Sequence, residues 1–132
     1  MKPDPEYLRR LLAAFEDAPG PTTDIVELEK AGLSYQTDEF YFHLRLLSDQ
    51  DFAEREDSEP GLGVERTCDP ELLWCPFPLR LTASGHEFAG ALNNNTAFAA
   101  VKKSGEHSSI AIMRDIAVAV VKSVVFHELH LS

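Results

Sequence analysis

The residues of this chain that could perform chemistry are histidines beside carboxylates and a pair of cysteines. His127-Glu128, followed by His130, lacks the two residues that a zinc-protease helix places between its glutamate and second histidine. His86-Glu87 could act as an acid/base pair, yet the sequence ties no nucleophile or second carboxylate to it. Cys68 and Cys75 alone do not complete a zinc site. We therefore expect no enzyme activity, no catalytic residue, no metal and no cofactor.

Charge offers a second kind of chemistry, because the chain carries a net charge of −10 and has a pI of about 4.8. Residues 1–75 hold 18 acids against 7 bases, whereas residues 76–132 hold 4 acids against 5 bases. Segment 49–71 alone has nine acids against two arginines. Such a segment is a solvated surface, a docking surface for a basic protein or a mimic of nucleic-acid charge. The docking candidates are Glu54, Glu56, Asp57 and Glu59.

A helix predicted to begin after Thr37 carries the candidate DNA contacts. Helical spacing turns one face inward, made of Phe40, His43, Leu44 and Leu47, and we expect His43 to be a core histidine. The outer stripe holds Asp38, Tyr41, Phe42 and Arg45. In a helix-turn-helix protein this helix would lie in the major groove. Burial of its aromatic residues against neighbouring elements is the alternative. The candidate DNA contacts are Thr37, Tyr41, Phe42 and Arg45.

The elements that must position these residues are organised around one junction. Leu79 and Leu81 alternate with Arg80 as in a half-buried strand, and Thr82 is a good N-cap for the helix that follows. This junction is typical of the end of the wing in a winged helix-turn-helix domain. Upstream, the sequence predicts a strand at 52–56, a turn at 58–63 and an extended return at 72–78 that pairs back. Segment 25–30 fits a helical turn or a short strand.

The last predicted helix, from Ile110 to about Glu128, is apolar on almost every side. Three internal charges argue against a membrane span. A helix apolar all round needs partners on all sides, so we expect a homodimer, with burial inside the monomer as the alternative. The dimerisation candidates are Ile112, Ile116, Val120 and Val124. Between the Thr82 helix and this one, Asn93-Asn94-Asn95 predicts a break and Thr96 a new cap.

The run from Leu81 to Phe88 (LTASGHEF) resembles the bacterial and phage domain of unknown function family 2513. The similarity spans roughly residues 2–125. It implies a winged-helix-like fold and a phage or mobile-element setting, and no catalytic residue. The chain departs from the family pattern at Gln50-Asp51-Phe52 and at Phe98, where the family usually has tryptophan. Further matching stretches are Asn95-Thr96, Val101-Lys102, Phe42–Leu47 and Leu8–Leu12.

Together these observations predict an α+β, mostly helical chain, with a winged helix-turn-helix-like domain over residues 1–92 and a C-terminal helical extension over residues 93–132 as one compact unit. We expect a small non-enzymatic regulator that contacts DNA. We expect it in the cytoplasm, because the N-terminal sequence is polar and no signal peptide is visible. The alternative is an acidic interaction protein, or an inhibitor that mimics nucleic acid, acting on a host or phage protein through segment 49–71.

Overall fold

The fold is known from a computed structural model, which describes residues 1–68, 71–105 and 108–131, with side chains to residue 129. The described residues form an α+β chain of six helices and four short strands. In chain order these are α1 (Pro5–Glu16), α2 (Ile25–Lys30), α3 (Asp38–Asp49), β1 (Ala53–Arg55), β2 (Val64–Arg66), β3 (Leu72–Trp74), β4 (Leu79–Leu81), α4 (Ala83–Leu92), α5 (Asn95–Lys103) and α6 (Ile110–Leu131).

Short polar side chains fix where the first three helices begin. The carboxylate of Asp4 accepts from the Glu6 amide, and Asp24 accepts from the Glu27 amide, so the ambiguous segment 25–30 is a helix. Thr37 caps α3 as predicted and accepts from the Phe40 amide at 3.2 Å. The apolar faces of these helices enter a single core, to which they contribute Leu8, Leu11, Leu12, Ile25, Leu28, Phe40, Leu44 and Leu47.

The strands pair in two separate antiparallel ladders. β1 pairs with β4, and Thr23 adds an isolated bridge on the other side of Leu79. β2 pairs with β3 to form the β2–β3 ribbon. Of the predicted return at 72–78, residues 72–74 form β3 and pair with β2, and only Pro78 bonds to the predicted strand at 52–56, where its carbonyl accepts from the Glu56 amide at 3.0 Å. The strand at 52–56 pairs mainly with β4. β4 takes that place because Leu79 and Leu81 bury 99% and 97% of their surface, whereas Leu73 in β3 is 57% exposed.

The junction between β4 and α4 follows the sequence prediction closely. The Thr82 hydroxyl accepts from the Gly85 amide at 3.1 Å and donates to the Asp51 carbonyl at 2.6 Å. The Thr82 amide donates to the Phe52 carbonyl at 2.9 Å. One residue thus caps α4 and ties its start to the chain just before β1.

The C-terminal helices pack against α4, and α5 also contacts α1. Asn94, rather than the predicted Thr96, caps α5 by accepting from the Ala97 amide at 3.0 Å. The first half of α6 buries one face, which includes Ile110, Met113 and Ala117. At 1.5 Å per residue, 22-residue α6 is about 33 Å long, and its residues 125–129 are all exposed. The alternative, burial of α6 inside the monomer, therefore applies to one face of its first half.

No helix in the described ranges combines the length and the apolar character needed to cross a membrane.

Candidate functional site

The candidate DNA-contacting face of α3 is less open than its spacing predicted. Arg45 is exposed, but its guanidinium donates back along the helix to the Tyr41 hydroxyl at 2.8 Å. Tyr41 and Phe42 are half-buried. The Thr37 hydroxyl is engaged in capping and in donation to the Ser34 carbonyl at 2.9 Å. Arg45 is the single cation among the four candidates, and Asp38 and Glu39 place two carboxylates in the first turn of the same helix.

Trp74 covers the N-terminal half of α3. Its ring meets Phe40 at 5.6 Å, Tyr41 at 6.1 Å and Tyr35 at 6.2 Å between centroids, each in an edge-on arrangement. Edge-on pairs at this separation are a favoured geometry for aromatic rings. The β2–β3 ribbon, which carries Trp74, therefore lies against α3. The sequence left open the alternative that the aromatic stripe is buried against neighbouring elements. This alternative holds in part, because half-buried Tyr41 packs against Trp74.

A groove separates the start of α3 from β3. Its volume is about 610 Å³, and two aromatic side chains and two carboxylates contribute to its walls. No pattern in the sequence predicted this groove. Its one local signal was the chain's single tryptophan in an otherwise extended segment. The lining residues are Tyr35, Gln36, Thr37, Asp38, Glu71, Leu72, Leu73 and Trp74.

The arginines on the paired strands β1 and β4 are neutralised within the protein. Arg80 meets Glu54 at 2.7 Å, and Arg55 binds both carboxylate oxygens of Asp57 at 2.6 and 3.0 Å. Arg55 also lies over the ring of Phe77, 3.8 Å from its centroid. The hydrogen bond from Arg55, together with one from the Glu59 amide, holds the pKa of Asp57 below its usual value.

These ion pairs divide the acidic docking candidates into two classes. Glu54 and Asp57 are each paired with an arginine. Glu56 and Glu59 are exposed, and no ion pair to them is found in the described part of the chain. The four candidates therefore do not form one uniform acidic cluster, and only the latter two offer unpaired charge to a partner.

His43 is a buried core histidine, as its position on the inner face of α3 predicted. The Asp4 amide donates to Nε2 at 2.9 Å, and Nδ1 donates to the Glu39 carbonyl at 2.7 Å. Tyr7 stacks on the ring at a centroid distance of 4.5 Å. Burial lowers the pKa of His43, and both of its bonds suit the neutral ring.

The adjacent residues His86 and Glu87 do not form the acid/base pair that their sequence allowed. His86 meets Glu16 of α1 at 3.2 Å, and Glu87 meets Arg114 of α6 at 2.9 Å. They point to different elements because neighbouring positions on a helix face about 100° apart. Both contacts are largely exposed and join α4 to other helices.

The remaining candidates for metal or redox chemistry stay separate. Cys68 and Cys75 are free and exposed. Among the described residues, no three His, Cys, Asp or Glu side chains are grouped so that they could hold a metal ion. The side chain of His127 is among those described, whereas that of His130 lies outside them, so the predicted pairing of these two histidines lies outside the described residues.

The dimerisation candidates on α6 differ in exposure. Ile112 is 49% exposed, but Ile116, Val120 and Val124 are half-buried, and the first two of these pack against the core. The four candidates therefore do not form one exposed stripe in a single chain, and the dimer expected through them stays a prediction. The exposed apolar surface lies towards the C-terminal end instead, at Val125, Phe126 and Leu129, which are 48%, 65% and 69% exposed.

Comparison of the chain with protein-family models, with curated proteins and with solved structures finds no match.

Proposed function

We propose that this protein is a non-enzymatic regulator of the winged-helix type that binds a basic protein partner through an acidic surface on α3 and the strands that follow it. The order of its elements supports the fold assignment: a helix, a bridging residue, two further helices, a strand, a ribbon and a returning strand. In this arrangement the β2–β3 ribbon takes the place of the wing. The phage or mobile-element setting rests on the sequence resemblance alone.

One observation carries the preference for a protein partner. The ribbon lies against α3 through Trp74. Of the four arginines between residues 45 and 80, Arg80 and Arg55 are paired with Glu54 and Asp57, whereas Arg45 and Arg66 are exposed. A nucleic-acid surface needs cations that are free to release counterions. The segment from residue 49 to 71 has the opposite balance, with nine acids against two bases. Such a surface attracts positive charge and speeds encounter with a basic partner.

A reversal of the two unpaired acids tests this function. The change Glu56→Lys with Glu59→Lys leaves both arginine pairs in place and alters the charge by four units. The control, Asp17→Lys with Glu128→Lys, makes the same change at exposed positions outside this surface. A partner captured by the wild-type protein should be purified and rebound in vitro.

Loss of that purified partner with the first variant, but retention with the control, supports the proposal. Equal binding by all three proteins contradicts it. Circular dichroism on each variant checks that the helices are intact.

DNA binding through α3 is the second candidate function. The order of the elements and the exposed guanidinium of Arg45 favour it. A gel-shift assay against the chain's own upstream DNA should show salt-sensitive binding, and Arg45→Ala should weaken it by about 1–3 kcal/mol if this residue reads a base. Absence of binding at low salt contradicts this candidate.

Self-association through α6 forms part of the proposal. α6 carries exposed apolar surface at Ile112, Val125, Phe126 and Leu129. A second α6 offers the same surface in return, as a two-fold dimer requires.

A further inference from the structure

We propose that the groove between β3 and the start of α3 binds a lysine or arginine side chain of the basic partner. This inference rests on the proposed function and identifies which part of the acidic surface makes the specific contact. The groove is distinct from the exposed acids Glu56 and Glu59, so the two can be tested separately.

Aromatic rings form one component of the groove. Trp74 and Tyr35 both line it, and their centroids are 6.2 Å apart in an edge-on arrangement. Phe40 and Tyr41 contact Trp74 from α3 and hold it in position before any ligand arrives. A cation within about 6 Å of an aromatic face is attracted by the ring, and tryptophan gives the strongest interaction of this kind.

Carboxylates form the second component. Asp38 and Glu71 line the groove, and both are exposed. The adjoining elements α3 and β2 add Glu39, Asp49 and Glu65, together with the cations Arg45 and Arg66. Five acids against two bases leave the surroundings of the groove negative. A phosphate would be repelled here, while an ammonium or guanidinium group would gain both a charge partner and an aromatic surface.

The volume of the groove limits the size of the ligand that it can hold. A volume of about 610 Å³ lies within the range of roughly 300–1,000 Å³ typical of small-molecule pockets. It therefore accepts one basic side chain together with part of the peptide that carries it. The exposed side chain of Leu73 adds apolar surface for the aliphatic portion of a lysine.

The chain supplies its own probe for this site. Trp74 is the single tryptophan, so its fluorescence reports on the groove alone. An octalysine peptide titrated into the protein should change the tryptophan emission in a saturable way. An octaglutamate peptide and a neutral Gly-Ser octapeptide should leave it unchanged.

A pair of charge-removing variants tests the carboxylates. Asp38→Asn with Glu71→Gln should weaken octalysine binding by roughly five- to tenfold, in line with the loss of two exposed charge contacts. The control Asp17→Asn with Glu128→Gln makes the same net change elsewhere and should alter the affinity by less than about twofold, because distant charges are screened by salt. Arg66→Gln removes one competing cation and should strengthen binding.

Three outcomes overturn the inference: an unchanged emission, an equal loss in the control pair, or a saturable change with duplex DNA but none with octalysine. Failure of this inference can be told from failure of the proposed function. If Glu56→Lys with Glu59→Lys abolishes partner binding while Asp38→Asn with Glu71→Gln does not, the acidic surface stands and the groove is excluded. If neither pair affects partner binding, both are excluded.

Discussion

The glycine in the first turn of α4 is the position at which one methyl group should matter most. A Cβ built on Gly85 would lie 2.0 Å from the carbonyl oxygen of Phe52 and 3.3 Å from the Cβ of Leu81. Ordinary contacts begin at about 3.4 Å, so Gly85→Ala requires α4 and the residue before β1 to separate by more than 1 Å. The contact is with backbone, which cannot rotate away as a side chain can.

The expected loss follows from what this separation breaks. Two hydrogen bonds tie Thr82 to the same segment: its amide donates to the Phe52 carbonyl, and its hydroxyl donates to the Asp51 carbonyl. Each is worth about 1 kcal/mol. Forcing extra volume into a packed core costs about 1–3 kcal/mol. Replacing glycine by alanine in a helix returns about 0.5–1 kcal/mol. We expect Gly85→Ala to lower the free energy of unfolding by about 2–4 kcal/mol.

Gly90 provides a matched control within the same helix. Among the described residues, no heavy atom lies within 4 Å of a Cβ built there. Gly90→Ala should therefore raise the free energy of unfolding by about 0.5–1 kcal/mol through helix propensity alone.

Urea unfolding followed by far-ultraviolet circular dichroism measures both changes. With an m-value of roughly 2 kcal/mol/M, Gly85→Ala should lower the midpoint by about 1–2 M, while Gly90→Ala should raise it slightly. Equal midpoints for the two variants would refute the close approach of α4 to Phe52.

Three further predictions follow from the same contacts. Burial lowers the pKa of His43, so below about pH 6.5 the unfolded chain binds a proton while the folded ring stays neutral. The free energy of unfolding should therefore fall as the pH drops from about 6.5 towards the folded pKa. The urea midpoint of His43→Gln should depend less on pH over that range. Asn94→Ala should cost about 1 kcal/mol in thermal or urea unfolding, and Thr96→Ala much less; the reverse order would show that Thr96 caps α5. Light scattering should give a mass near twice 14.7 kDa, reduced to the monomer by Phe126→Asp with Leu129→Asp; a wild-type monomer would contradict pairing through α6.

Local chemistry was readable from the sequence. Thr37 and Thr82 were identified as caps because an N-cap acts on amides only two or three residues away. The burial of His43 followed from its spacing with Phe40, Leu44 and Leu47 on one helical face. The choice of Thr96 over Asn94 was wrong because both side chains can cap, and the end of α4 at Asn93 decides which of them is placed to do so.

Contacts between distant segments were not readable in this way. Glu54 and Arg80 are 26 positions apart, so the ion pair that distinguishes Glu54 from Glu56 and Glu59 depends on the pairing of β1 with β4. β4 rather than β3 pairs with β1 because burial of Leu79 and Leu81 outweighs closeness along the chain.

The sequence by itself determined the starts of α3 and α4, the inner face of α3 and the excess of acids. Only the tertiary structure placed Trp74 against α3 and formed the groove with Asp38 and Glu71. The physical reason is range: caps and helical faces depend on neighbours within one turn, whereas the groove depends on how Trp74 of the β2–β3 ribbon packs against α3.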